Sequence, residues 1–429
     1  MLGLEWLASL PNFEADRSLG FLPLSGIKRT LAALGDPEKT FRAIHVVGTN
    51  GKGSVSAMAA ALLANLGYRV GLYRSPHLCH LSERITINLE PVEEELLSDE
   101  LTQLARMQVA GLAPVMTHFE ALTAAAFSIF AGEGVEVAVV EAGMGGFRDA
   151  TNVLDAEVVV LTSIGHDHLA EIGPTLGDVA REKLGVVTKA AAVICGELPR
   201  SLNIQLPECR DLLRVGKEVT VSSRREGVGG QLITFATPFG AREVFIPFHG
   251  WPAAQGAVLA HSAVETLLGV GVAGETADAA LAGIRVPGGF EVLGGSPVVV
   301  SDSAHNREAA AALRKTLGEV LGELTSIALV VGLTAGREPR EILSELSGLK
   351  VSVLLPLDIG VATESVVQAA REYWPEAEIL DAITPQGLRG AIAGFGDRSS
   401  TGVDAVLVTG SNRAVAALLC GNGPVRLVG

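Results

Sequence analysis

The run Ala43-Ile44-His45-Val46-Val47-Gly48-Thr49-Asn50-Gly51-Lys52-Gly53-Ser54 constrains this chain more than any other stretch. An apolar, strand-like segment feeds a glycine-rich turn. Val55 to Leu66 then reads as a helix rich in Ala and Leu, closed by Gly67. A strand, a glycine loop and a helix start make a phosphate cradle, because N–H groups of the loop and of the helix N-terminus converge on an anion. Gly48, Thr49, Asn50, Gly51 and Gly53 form the loop. Lys52 adds a point charge for β- and γ-phosphates, and Ser54 offers a hydroxyl to Mg2+. The usual pattern is G-x-x-x-x-G-K-[ST]; here the first glycine stands closer and Gly53 separates Lys52 from Ser54. The plainer alternative is a turn without a ligand. The Lys and Ser at the motif's positions argue against it.

After that helix, Tyr68 to Tyr73 reads as a strand ending in Arg74-Ser75-Pro76-His77. Successive strands joined by a crossover helix are parallel. Phe119 to Ala131 reads as a helix, and Val135–Val140 and Val158–Thr162 as buried strands, followed by Glu141 and by Ser-Ile-Gly-His-Asp-His168. Ser54, Ser75, Glu141 and His168 thus each follow the carboxyl end of a parallel strand, the edge where open α/β sheets bind ligands. Oxygen and nitrogen donors brought there by four βα units suit Mg2+ and phosphate. A single His after a strand is more often structural. Lys183, closing a helix expected over Glu171–Lys183, also reads as a cation on a helix C-terminus. Glu93-Glu94-Glu95 reads as a solvated helix start.

Strands are expected at Ala192–Cys195, Glu218–Val221, Gln231–Thr234 and Glu243–Pro247, with a hairpin at Gly227–Gly230 and a helix over Trp251–Leu268. Val286-Pro287-Gly288-Gly289 reads as a hinge, after which the α/β rhythm restarts with strands at Val298–Ser301, Ile327–Gly332, Val351–Leu355 and Ala405–Val408. Two α/β domains are expected, over 1–285 and 286–429.

A net charge of −15 argues against nucleic-acid and anionic-membrane partners. A local phosphate cradle is unaffected by it. No apolar run reaches transmembrane length. Glu5 and Asp16 stand where a signal peptide would be basic and then apolar. The four cysteines, Cys79, Cys195, Cys209 and Cys420, have neither metal nor disulfide spacing and read as reduced thiols, which points to the cytoplasm.

Several further stretches complete the pattern: Ser75-Pro-His-Leu78, Ser82-Glu-Arg-Ile85, His118-Phe-Glu-Ala-Leu-Thr123, Glu141 through Asn152, Asp167-His168, Arg181-Glu-Lys183 and Asp302-Ser-Ala-His-Asn306. With the glycine loop, they make the chain resemble the folylpolyglutamate synthase/dihydrofolate synthase family of the Mur ligase superfamily. The resemblance implies a P-loop NTPase-like N-terminal domain with a parallel sheet and a smaller Rossmann-like C-terminal domain. It implies a cytoplasmic, monomeric, ATP-dependent ligase of folate biosynthesis and one-carbon metabolism. Such an enzyme joins L-glutamate to a folate or pteroate carboxylate through an acyl phosphate. One Mg2+ would sit by Ser54 and another by Ser75, Glu141 and His168. Lys183 falls on a lysine carried as a carbamate, so Lys52, His168 and Lys183 become the catalytic set. Phe119, Asp149 and Ala150 would line the pterin pocket, Asp302 would meet the nucleotide, and His305 and Ser411 the glutamate.

Four places depart from the family's pattern. Phe147-Arg148 moves an arginine by one position, Gly256 replaces an Asn, Gly289 replaces an Arg expected on the phosphates, and Ser303 replaces a Gly. They motivate two alternatives: a ligase for a different acid and amine, or a non-catalytic nucleotide-binding partner protein. A P-loop kinase or NTPase of another type is a third.

Overall fold

Two short helices, α1 (Leu2–Ser9) and α2 (Ser25–Ala33), precede β1 (Arg42–Val47), whose last five residues are buried. The glycine loop runs into α3 (Lys52–Asn65), in which every residue from Val55 to Leu63 is buried. A helix apolar all round is one enclosed by its own domain, which explains its Ala-rich composition. β2 (Val70–Tyr73) and an antiparallel edge pair, β3 (Ile85–Ile87) and β4 (Glu90–Pro91), follow. α4 (Glu94–Val109) starts on the exposed acidic run, as expected. α5 (His118–Gly132) is opened by a reciprocal cap between Thr117 and Glu120. Then come β5 (Val137–Glu141), β6 (Val158–Leu161), α6 (Leu169–Ile172), α7 (Leu176–Leu184), β7 (Ala192–Cys195) and β8 (Asp211–Arg214).

These strands form one sheet in the order β4-β3-β2-β5-β1-β6-β7-β8. From β2 to β8 all neighbours are parallel. β1 lies between β5 and β6, with Ile44 opposite both Val139 and Val158. The carboxyl ends of β1, β2, β5 and β6 therefore share an edge, which is what assembles the site.

A three-stranded sheet follows, ordered β11-β10-β9, from β9 (Thr220–Gly227), β10 (Gly230–Thr237) and β11 (Gly240–Ile246). Val228 and Gly229 make the expected two-residue hairpin turn. α8 (Gly250–Leu268) and α9 (Gly274–Leu281) come next. The last stretch holds β12 (Glu291–Gly294), β13 (Val298–Ser301), α10 (Arg307–Leu321), β14 (Ile327–Val331), α11 (Pro339–Leu346), β15 (Val351–Pro356), α12 (Thr363–Tyr373), β16 (Glu378–Ile379), α13 (Leu388–Asp397), β17 (Ala405–Thr409) and α14 (Asn412–Leu419). Its sheet runs β12-β13-β17-β14-β15-β16, parallel except at β12. Val300, Leu329 and Leu407 enter one core and Val299, Val330 and Val406 another, so both sheet faces are covered.

The computed structural model describes residues 2–12, 23–202, 204–286, 288–322, 326–397 and 402–420. The chain divides into two units: Met1–Arg224, Leu232–Ile246 and Gln255–Ile284 form the first, and Arg225–Gln231, Pro247–Ala254 and Arg285–Gly429 the second. The expected hinge residue Pro287 lies outside the described residues.

Two expectations need correction. The helix expected over Glu171–Lys183 is broken into α6 and α7. Gly173 has φ 148, the residue before Pro174 is disfavoured in helix, and Thr175 caps a new helix through Asp178. The reading of four reduced thiols holds for Cys195 and Cys209, while Cys79 and Cys420 are disulfide-bonded. No helix among the described residues is long and apolar enough to cross a membrane.

Candidate active site

The glycine loop is shaped by the segment after β6. Thr162 N donates to Val47 O (2.9 Å) and Thr49 N to Ser163 O (2.9 Å). Thr162 Oγ1 donates to Asn50 O at 2.7 Å, and Ser163 Oγ accepts from Asn50 N at 3.0 Å. Gly48 has φ 151, and a Cβ there would stand 1.8 Å from Thr162 Oγ1. Gly51 opens α3 in the left-handed region, with φ 82. Lys52 folds back over the loop, its Nζ 3.4 Å from Thr49 O. Ser54 lies half-buried in the same first turn. Gly48→Ala combines backbone strain with that close approach and should cost roughly 1–3 kcal/mol or more. We expect a lowered Tm together with lost ADP binding by calorimetry. A variant that keeps both would show that the loop geometry is not required.

Glu141 ends β5 and is 4% exposed. Ser75 N donates to its Oε2 at 3.4 Å, and a Cβ on Gly53 would lie 3.5 Å from the same oxygen. The carboxylate therefore sits against the first turn of α3. Burial pushes its pKa up to about 7, against the pull of Lys52 and of the Ser75 N–H. Lys183, buried in the last turn of α7, donates from Nζ to Gly48 O at 2.7 Å. Burial first, and Lys52 second, bring its pKa down to about 7, against Asp167, Asp149 and Glu182. His168 stands in the left-handed region (φ 53) at the start of α6, and its N–H donates to Asp167 Oδ1 at 3.0 Å. His168 Nε2 is 3.7 Å from Asp167 Oδ2. The sheet edge thus brings Lys52, Glu141, Ser75 and Lys183 together, and Asp167 links His168 to the group.

No group of three or more His, Cys, Asp or Glu side chains among the described residues is arranged to hold a metal by itself. Mg2+ does not need one, since it takes hydroxyl, carboxylate, phosphate and water oxygens. A buried carboxylate held by one long N–H contact beside two serines is a donor set that suits such a cation.

Phe119 lies in the first turn of α5, its ring centroid 5.8 Å from that of Tyr73. A Cβ on Gly143 would lie 2.6 Å from the Phe119 ring, so only glycine lets this loop cross it. Asp149 and Ala150 follow on the same loop, 5% and 7% exposed. Asp149 Oδ2 accepts from Met144 N (2.9 Å), and Oδ1 from Thr151 N (3.0 Å) and Thr151 Oγ1 (2.5 Å). His45 Nε2 is 2.8 Å from Thr151 Oγ1. Thr162, Ser163 and Thr151 carry no motif that marks them as shaping the site, while His45 is marked by its place inside an otherwise apolar buried strand.

Arg148 is tied to α7, donating from Nε to Glu182 Oε2 at 3.0 Å. Phe147, where the family pattern has arginine, is 58% exposed.

In the second unit, Asp302 follows β13, and desolvation pushes its pKa up to about 7. Ala304 N donates to Asp302 Oδ1 at 2.7 Å, and His305 Nδ1 is 2.8 Å from Ser303 O. Ser411 follows β17, the strand beside β13; it donates to Gly332 O at 2.8 Å and caps α14 through Ala414 N at 3.1 Å. Its hydroxyl is thereby engaged within the fold. Arg307 pairs with Glu345 at 2.6 Å.

The Mur ligase middle domain family model matches residues 46–199. The chain is 37% identical over 320 residues to a dihydrofolate synthase/folylpolyglutamate synthase of Mycobacterium tuberculosis, covering 68% of this chain and 66% of that one, a little under two thirds of its length. It is 32% identical over 334 residues to the enzyme of the same name from Bacillus subtilis, covering 73% and 75%. Among solved structures, Mycobacterium tuberculosis folylpolyglutamate synthase complexed with ADP superposes with a TM-score of 0.84 at 30% identity, over 94% of this chain and 95% of that one. A second structure of that enzyme, with ADP and AMPPCP, gives 0.85 at 29% identity over 98% of each chain.

Proposed function

Because the chain belongs to the dihydrofolate synthase/folylpolyglutamate synthase family of ATP-dependent, C–N bond-forming ligases, we propose that it joins L-glutamate to a folate or pteroate carboxylate. The observation that carries this reading is the meeting of Lys52, Glu141 and Lys183 at the mouth of the glycine loop, with the Phe119 and Asp149 loop on the same sheet edge. A carboxylate is a poor electrophile. Transfer of the γ-phosphoryl group of ATP to it gives an acyl phosphate, and attack by the glutamate amine forms the amide and expels phosphate.

Each residue has a part that this chemistry requires. The backbone N–H groups of Gly48 to Gly53 cradle the phosphates, and Lys52 offsets the charge that gathers during transfer. Ser54, Ser75, Glu141, His168 and Lys183 would hold Mg2+, which supplies charge neutralisation and orientation of the phosphates. Lys183 is suited to carry a carbamate: an amine with pKa near 7 is substantially neutral, adds CO2 and releases a proton, which turns a cation into a carboxylate-like ligand. Phe119, Asp149 and Ala150 receive the acid. In the second unit, Asp302 serves the nucleotide and His305 the glutamate, which Ser411 assists through the one acceptor lone pair its internal hydrogen bonds leave. We take 1–285 as the ATP-binding domain and 286–429 as the C-terminal ligase domain of a cytoplasmic monomer with neither nucleic-acid nor membrane partners.

One observation favours a second reading, a ligase for another acid. Exposed Phe147 replaces a cation beside the acid's loop, while Arg148 is held by Glu182 and Arg307 by Glu345. The test supplies ATP, Mg2+ and glutamate with dihydropteroate or tetrahydrofolate. ADP release that requires both acid and amine is expected, with a rate that drops in CO2-depleted buffer and recovers with bicarbonate. No release with either acid, from folded protein, sinks the folate reading. A rate indifferent to CO2 removes the carbamate.

A further inference from the structure

We propose that His45 and Thr151 are positioning residues for Asp149: the imidazole aims the Thr151 hydroxyl, and the hydroxyl fixes the carboxylate so that a single acceptor position, on Oδ2, is left for an N–H donor of the acid substrate. The role given to Asp149 rests on the function proposed above. The arrangement of His45 and Thr151 is independent of it.

A threonine hydroxyl has one proton to give. Thr151 Oγ1 lies 2.5 Å from Asp149 Oδ1 and 2.8 Å from His45 Nε2, and Thr151 is fully buried. Burial raises the Asp149 carboxyl pKa, opposed by the donors of Thr151 and Met144, which favour the charged form; the ionised carboxylate accepts only, so the hydroxyl proton goes to it. Thr151 Oγ1 must then accept from His45, so the imidazole carries its proton on Nε2. His45 is 1% exposed on the central strand, opposite Val140 and Val159. Burial there brings its pKa down to about 4 and keeps the ring neutral. A neutral ring with Nε2–H is a fixed donor with one tautomer.

The consequence is an inventory of acceptor sites. A carboxylate has about four lone-pair positions, two on each oxygen. On Asp149, Oδ1 takes two donors from Thr151, and Oδ2 takes one from Met144 N. One position on Oδ2 remains among the described residues. Asp149 is only 5% exposed, so bulk water does not compete freely for it. The loop that supplies Met144 N also crosses the Phe119 ring at Gly143. A flat ring bearing an N–H group is the ligand chemistry that uses both features. Without the hydroxyl, Oδ1 loses one of its two donors and the carboxylate is held by the Met144 and Thr151 N–H groups alone, so the open position is less tightly aimed.

The structural half is tested by 15N NMR of histidine-labelled protein. The imidazole whose signals vanish in His45→Gln should be neutral at pH 7 with its proton on Nε2, and Thr151→Val should relax that preference. A ring protonated on Nδ1 alone, or doubly protonated, overturns the proposal. The functional half is read by KM. Thr151→Val, near-isosteric, should raise KM for the acid by about tenfold, the loss of one charge-assisted hydrogen bond. KM for ATP and glutamate should stay within about twofold of the parent, and Thr151→Ser should restore the acid KM. An unchanged acid KM, or an equal rise in all three constants, also overturns it. Parent protein inactive on every pteroate and folate would defeat the proposed function, while the tautomer result would still decide the arrangement.

Discussion

Lys52→Ala is expected to lower turnover by roughly 10²–10³-fold while leaving the Tm within a few degrees of the parent. The two halves have separate causes. Within the fold, Lys52 makes one long contact, to Thr49 O at 3.4 Å, from a half-buried side chain, so little stability is lost with it. In the proposed reaction it is the cation of the glycine loop, and charge placed in advance is worth far more in a site closed to water than in solution. Its loss also acts on its neighbours. Lys52 holds down the pKa values of both Glu141 and Lys183; without it both rise, leaving more Glu141 protonated and more Lys183 charged. ADP release at saturating ATP, with a thermal melt alongside, measures both halves. Turnover near the parent rate in a folded variant would remove Lys52 from the chemistry.

Glu141→Gln should trade activity for stability. Burial pushes the Glu141 carboxyl from its ordinary 4.5 up to about 7. Between those values the folded chain holds a proton that the unfolded chain has released. Its contribution is therefore fully present below pH 4.5 and is lost as pH rises through 7. At pH 8 the folded protein carries a buried carboxylate whose desolvation outweighs the pull of Lys52, at a cost of roughly 3 kcal/mol. Glutamine removes that cost. In chelating buffer the variant should melt at the parent's temperature near pH 5 and above it at pH 8. Turnover should fall by about a hundredfold or more with the loss of the carboxylate proposed to hold the cation. Lys183 has the opposite pH sense: its pKa is lowered to about 7 from 10.5, so its cost is present below pH 7 and relieved as pH rises toward 10.5. The comparison must therefore be made at matched pH. A glutamine variant less stable at pH 8, or one that retains turnover, contradicts this account.

What was legible in the chain follows from where each signal resides. β1, β5, β6, β13 and β14 are short apolar runs buried on both faces, and such runs are read from composition alone. The loop that begins each βα unit could be placed, so Ser54, Ser75, Glu141 and His168 were found together at one edge. Partners across the sheet could not. That Thr162 shapes Asn50, that Thr151 meets His45, and that Arg148 is held by Glu182 all depend on which strands and helices adjoin. No local pattern encodes the order β2-β5-β1-β6. The break between α6 and α7 was legible in Gly173-Pro174-Thr175, but helical spacing of apolar residues on either side masked it.

The place of β1 between β5 and β6 also sets an order in time. The glycine loop occupies residues 48–54, yet the strand and hydroxyls that shape it arrive with Val158 to Ser163, more than a hundred residues later. Arg42 at the start of β1 reaches further still, to Glu157 and to Leu267 O. As the chain leaves the ribosome, the phosphate loop is made early and shaped late, and pairings so distant are slow to close. Nucleotide binding is then a property the nascent chain acquires only once β6 has docked, although its signature motif emerges more than a hundred residues earlier.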